Sequence, residues 1–113
     1  MRTLHLSKSA ELDFDHALLF HIGYSDQIGE KFYGDMELAL EQIKTHPEAS
    51  SHRLGQELNI AGLRAWHLKK FNARVVYPFT DSDVITVARI FHGSQNLSRD
   101  QLIDLTSVSI ATL

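Results

Sequence analysis

Gly62-Leu63-Arg64-Ala65-Trp66-His67-Leu68-Lys69-Lys70-Phe71, then Arg74-Val75-Val76-Tyr77, then Val87-Ala88-Arg89-Ile90-Phe91-His92-Gly93, is the stretch whose period decides the fold. Side chains of a strand point alternately to its two faces, so apolar residues two apart mark one buried face. Trp66 and Leu68 oppose His67 and Lys69; Val75, Tyr77 and Phe79 oppose Arg74 and Val76; Ile85, Val87 and Phe91 oppose Thr86 and Ala88. The pattern predicts three consecutive strands, antiparallel because the turns Phe71-Asn72-Ala73 and Thr80-Asp81-Ser82-Asp83 are too short for a crossover. Pro78 has no N–H to donate and fits only near a strand end or on an edge. Which face meets the rest of the protein stays open, because the third strand is apolar on both sides.

Toward the N-terminus the period lengthens. Arg2 to Leu6 alternates loosely, with Leu4 and Leu6 on one side, and reads as a short strand. Ser7 or Ser9 can then cap a helix from about Ser9 to Ile22, with Glu11 and Asp13 suiting its positive start and Gly23 stopping it. Its apolar stripe is Ala10, Phe14, Ala17, Leu18 and Ile22. Ser25 with Asp26 restarts a helix whose apolar positions are Ile28, Phe32, Met36, Ala39, Leu40 and Ile43, the cleanest periodicity in the chain. Glu30, Asp35, Glu37, Glu41 and Lys44 form its polar face, and Pro47 ends it near Thr45 by disfavouring helical geometry at His46. With few residues between them, the two helices should form an antiparallel hairpin, and close packing against the first helix is one reason for a glycine at position 34. From Pro47 to Gly62 the chain is polar and reads as a surface connection; Ser98 to Leu105 reads as one short helix before a loose tail.

The expected fold is therefore α+β: an N-terminal strand, a helical hairpin packed on a three- to four-stranded antiparallel sheet, and a short C-terminal helix. A length of 113 residues suits one domain, spanning 1–113. With 43% hydrophobic and 22% charged residues, wholesale disorder is not expected. A net charge of −3 argues against holding nucleic acid by general phosphate attraction. The absence of cysteine removes disulfides and thiolate metal sites and fits a reducing cytoplasm. No signal peptide or membrane-length apolar run is evident, which predicts a cytoplasmic protein without membrane attachment.

Enzyme motifs fail on inspection. Gly23-Tyr24-Ser25-Asp26-Gln27 lacks the second glycine of a nucleophile elbow and lies between helices. No phosphate-binding glycine loop or dinucleotide fingerprint is present, and seven histidines show no metal-ligand spacing, so no cofactor or metal is expected. What stands out is charge: Asn59 to Thr80 holds four basic residues and no acid. Arg64, Lys69 and Arg74, with His67 and His92 nearby if the strands pair in order, can contact phosphates. An imidazole among guanidinium groups can also move a proton in attack by a ribose 2′-hydroxyl, the chemistry of a metal-free ribonuclease. Alternation by itself equally places such side chains on the solvent side of a half-covered sheet. Arg89 shares a face with Val87 and Phe91, and that position suits an arginine holding a loop or chain end.

The hairpin, Gly62-Leu63-Arg64 entering a strand, Phe71 with Arg74-Val75-Val76-Tyr77, and Val87 to Gly93 closing the sheet together resemble the RelE/ParE toxin superfamily over residues 3 to 97. The likeness is closer to the ParE, or plasmid-stabilisation, branch, although Gln95-Asn96 stands where that branch commonly has an Arg-Asp pair. The ParE resemblance implies a toxin that inhibits DNA gyrase by binding and is neutralised by a cognate antitoxin in a hetero-oligomer. Arg64, His67, Lys69, Lys70, Arg74 and Arg89 are then the candidates for target contact. The RelE branch implies cleavage of messenger RNA on the ribosome, here through Arg64, His67, Arg74 and His92. No tyrosine follows Tyr77, so the late tyrosine of that branch is absent. A degenerate toxin retaining only antitoxin binding is a third expectation, motivated by the acidic charge and Gln95-Asn96.

Overall fold

Two serines set the phase of the helical layer. In the computed structural model, which describes residues 2–68, 70–80 and 82–92, Ser7 Oγ accepts from Ala10 N at 3.0 Å and Ser25 Oγ from Ile28 N at 3.1 Å. Each satisfies a first-turn donor that has no carbonyl four residues back. Helices α1 (Lys8–Ile22) and α2 (Asp26–Thr45) follow these caps, preceded by strand β1 (Thr3–Leu6). Ala10 and Ala17 of α1 and Phe32, Met36, Ala39 and Ile43 of α2 are buried, as the spacing predicts.

The phase of α1 differs from expectation at its end. Ile22 and Ile28 are more than a third exposed, and His21 and Gly29 take the inward positions. His21 stacks on Phe32 with ring centroids 4.3 Å apart, meets Phe71 edge-on, and is hydrogen-bonded through Nδ1 to the Ala17 carbonyl at 2.7 Å. Close helix packing belongs to Gly29 and not to Gly34. A Cβ at Gly29 would overlap Ile22, whereas one at Gly34 would meet nothing within 4 Å.

The connection from Pro47 to Gly62 is more structured than its polar sequence suggests. A 3-10 turn (Pro47–Ala49) is followed by α3 (Arg53–Leu58). Leu54, Leu58 and Ile60 from this segment pack on Leu63, Ala65, Val76 and Phe91, forming a second small core. The expectation of a bare surface link is corrected by this layer. Only Leu54 and Leu58 fall at helical spacing, and Gly55 between them reads as a breaker. Gly55 is there because a Cβ would come within 2.6 Å of the Leu63 carbonyl oxygen.

Strands β2 (Leu63–Leu68), β3 (Ala73–Pro78) and β5 (Arg89–His92) form an antiparallel sheet in the order β2-β3-β5. The third strand of the sequence reading is broken at Ala88, whose N–H goes to the Val76 carbonyl while its own carbonyl accepts from Ser7 Oγ. The break frees β4 (Val84–Val87) to pair with β1, and that pairing is parallel rather than antiparallel. Leu68, Ala73, Val75, Tyr77, Ile85, Val87 and Ile90 join the helices in the main core. The sheet is thus covered on both faces, by the hairpin on one and by α3 on the other. The expected helix over residues 98–105 and the Gln95-Asn96 pair lie outside the described residues. Among those described, no helix is long and apolar enough to cross a membrane.

Candidate functional site

Strand geometry divides the sequence-derived candidates. His67 lies directly opposite Arg74 in the β2–β3 register, and Arg64 lies opposite Tyr77. Residues three apart on one strand point to opposite faces, so Arg64 stands on the other side of the sheet from His67 and Arg74.

Arg64 is engaged by backbone. Its Nη1 donates to the carbonyls of Glu48 at 3.0 Å and Ser50 at 2.7 Å, and its guanidinium lies 5.4 Å from the centre of the Phe79 ring. Beside it, the buried Tyr77 hydroxyl donates to the Pro47 carbonyl at 2.6 Å and is hydrogen-bonded to Ser50 Oγ. Burial pushes the Tyr77 hydroxyl above its ordinary pKa of 10.0. The two neighbours act together: both fasten the 3-10 turn to the sheet, closing carbonyls that would otherwise lack donors.

His67 is exposed and Arg74 half-buried. Desolvation, and then the guanidinium charge of Arg74, hold the His67 imidazole below its ordinary value of 6.5. A neutral imidazole beside a permanent cation can accept a proton next to a bound anion. Lys70 lies exposed in the turn that follows β2. Lys69 and the side chain of His92 are outside the described residues; the His92 backbone closes β5 opposite Ala73.

Arg89 is tied to the hairpin. Its Nε and Nη2 donate to Asp13 Oδ2 at 2.6 Å and Oδ1 at 2.9 Å, and the Ile90 N–H adds a third bond to Oδ2 at 2.9 Å. This fork-to-fork pair joins α1 to β5. In the sequence Asp13 suits the helix start, but its placement one turn from Ala10 and Ala17 on the inward face is the sign that it needs a cation. No group of three His, Asp or Glu among the described residues is placed to hold a metal ion.

Comparison with curated protein sequences finds no match. The family model described as the ParE toxin of the type II toxin-antitoxin system, parDE, matches residues 4–97, a span that takes in both helices of the hairpin and, but for Thr3 at the start of β1, every strand described above. With an N-terminal strand, a capped helical hairpin and the β2-β3-β5 sheet in that order over a match of most of its length, this chain belongs to the ParE toxin family of type II toxin-antitoxin systems.

Proposed function

We propose that this toxin arrests growth in the cytoplasm by binding DNA gyrase without nucleolytic chemistry, and that a cognate antitoxin silences it by covering the helical hairpin or the sheet edge. The observation carrying this reading is the separation of Arg64 from His67. A metal-free ribonuclease needs a base, an acid and a cation around one phosphate. Here Arg64 stands on the opposite face with Nη1 given to two backbone carbonyls. The net charge of −3 also opposes docking in ribosomal RNA. His67, Lys70 and Arg74, with Lys69 next to Lys70 in the sequence, are assigned to target contact, while Arg64 and Arg89 hold the surface in shape.

One observation favours a second reading. His67 is held below the ordinary imidazole value beside Arg74, the pairing a general base requires in cleavage of ribosome-bound message. A gyrase supercoiling assay run beside a ribosome-dependent cleavage assay on one preparation separates the two. Inhibited supercoiling with intact message is the expected result; cleaved message with unaffected supercoiling overturns the proposal.

A further inference from the structure

A ridge on α1 and the chain that follows β5 fit each other. Leu12, His16 and Phe20 of α1, and Tyr24 just beyond it, follow one another at intervals of four and so lie along one side of the helix. Leu19 stands beside them, two turns after Leu12. All five are exposed, and Tyr24 and Leu19 are the most exposed large hydrophobics among the described residues, at 70% and 65%. The Phe20 and Tyr24 rings meet edge to face with centroids 5.4 Å apart. No carboxylate, lysine or arginine is among the five, and a contiguous apolar surface of this kind marks an interaction site.

Two contacts fix where β5 leads. Asp13 of α1 accepts from the Ile90 N–H near one end of that strand. At the other end His92 lies opposite Ala73, and Phe71, two residues before Ala73, meets the His21 ring with centroids 5.0 Å apart. β5 therefore runs along α1 from the level of Asp13 toward that of His21, and the chain leaves the sheet beside Phe20 and Tyr24. Residues 93–113 follow, with Leu97, Leu102, Ile103, Leu105, Val108 and Ile110 against three charged residues, Arg99, Asp100 and Asp104. A segment so short cannot bury these side chains against itself and needs a surface supplied by the rest of the domain.

We infer that residues 97–105 fold back on this ridge, so that the outer side of α1 is covered by the chain's own sequence after the sheet. From Leu12 to Tyr24 the ridge is about 18 Å long, and residues 93–97 span at most about 17 Å, enough to carry the segment onto it. Read as a helix, residues 98–105 place Leu102 and Leu105 on one face, which can lie along the row of Leu12, His16 and Phe20 as one helix packs its ridge beside another. Tethering favours this occupant. A short connection holds the segment at an effective concentration in about the millimolar range, against which a free partner has to compete. Closing so short a loop costs little entropy. The inference concerns the fold and does not rest on the proposed function.

The sequence has no cysteine, so an introduced pair reports proximity without interference. In the full chain, Leu19→Cys with Leu102→Cys is expected to form an intramolecular disulfide at least about tenfold faster than Leu38→Cys with Leu102→Cys, because Leu38 is exposed on α2 instead. Equal rates would overturn the inference. A linkage found only between two molecules would give the ridge to a second copy and also overturn it. Hydrogen exchange reads the same contact in the unmodified chain. Amides of residues 97–105 are expected to exchange at least about tenfold more slowly than in an unstructured peptide, and Leu12→Ser with Phe20→Ser to remove that protection. Protection that survives the double change, or none in the unmodified chain, would overturn the inference. Both altered side chains are exposed, and circular dichroism verifies the helices. Neither measurement reads growth arrest or supercoiling, so its failure and a failure of the toxin reading are separate results.

Discussion

The hairpin and the sheet are opposite surfaces on one small protein. Residues 8–45 carry eight acids and three lysines, while residues 59–80 carry four basic residues and no acid. The hairpin also holds nearly all the large exposed apolar side chains of the described structure, whereas the sheet turns its apolar residues into cores on both faces. On the proposed function, such a division suits two partners on two elements: the antitoxin on the apolar and acidic hairpin, and a target approached through charge on the basic strand pair.

The division breaks first at its seam. Asp13 joins the two regions through Arg89 and the Ile90 N–H, with both side chains of the pair largely shielded. Asp13→Ala leaves a guanidinium and an amide without acceptors and is expected to lower stability by about 2–3 kcal/mol, read from urea unfolding. An unchanged midpoint would show that the helices hold to the sheet by apolar packing alone. Tyr77→Phe removes the hydroxyl that fastens the 3-10 turn and is expected to cost about 1–2 kcal/mol, with amide exchange quickening in residues 47–51. Equal exchange in the two proteins would return that anchoring role to Arg64.

Glycines sharpen the contrast between the inner and outer sides of the hairpin. Gly34→Ala faces open space and is expected to stabilise by about 0.5–1 kcal/mol through helix propensity. Gly29→Ala must displace Ile22 and is expected to lose about 1 kcal/mol or more despite the same propensity gain. Thermal midpoints moving in the same direction would refute the assigned packing. The smallest effect belongs to His67. Because its folded pKa lies below the ordinary 6.5, the unfolded chain takes up the proton first. Its contribution is therefore present above pH 6.5 and lost as pH falls through the folded value. His67→Gln should flatten that part of the stability profile slightly, and an NMR titration midpoint at or above 6.5 would contradict the assignment.

Much of this arrangement was legible in the chain. Ser7 or Ser9 and then Ser25 announce the helices, Pro47 ends the second, the alternation of Trp66, Leu68, Val75 and Tyr77 gives the strands, and the short turns give their antiparallel pairing; only the bond to Ala10 N picks out Ser7. The break at Ala88 was hidden because Val87 to Phe91 is apolar throughout, and a continuous strand and a broken one have the same composition. Only the distant demands of Ser7 and Val76 on the Ala88 backbone divide it. The helix over Arg53–Leu58 was masked by Gly55, a residue set by close approach to Leu63 and not by local propensity. At the candidate site, strand order brings His67 near the basic residues, but its register opposite Arg74 depends on the β2–β3 turn and the engagement of Arg64 on where the 3-10 turn lands. The acidity of the hairpin is half visible: periodicity gives the second helix an outer face of acids, and Glu11 and Asp15 join them only once the helices lie side by side.

Growth of cells expressing the toxin with and without its cognate antitoxin tests the division most directly. The natural sequence, a Glu30→Lys, Glu37→Lys variant and a Lys70→Glu, Arg74→Glu variant are compared in the same strain, with and without the antitoxin. The account expects the hairpin variant to arrest growth even when the antitoxin is present. The sheet variant should fail to arrest growth without the antitoxin, yet still co-purify with it. A hairpin variant silenced as fully as the natural sequence, together with a sheet variant that still arrests growth, would contradict the assignment of the two surfaces to two partners.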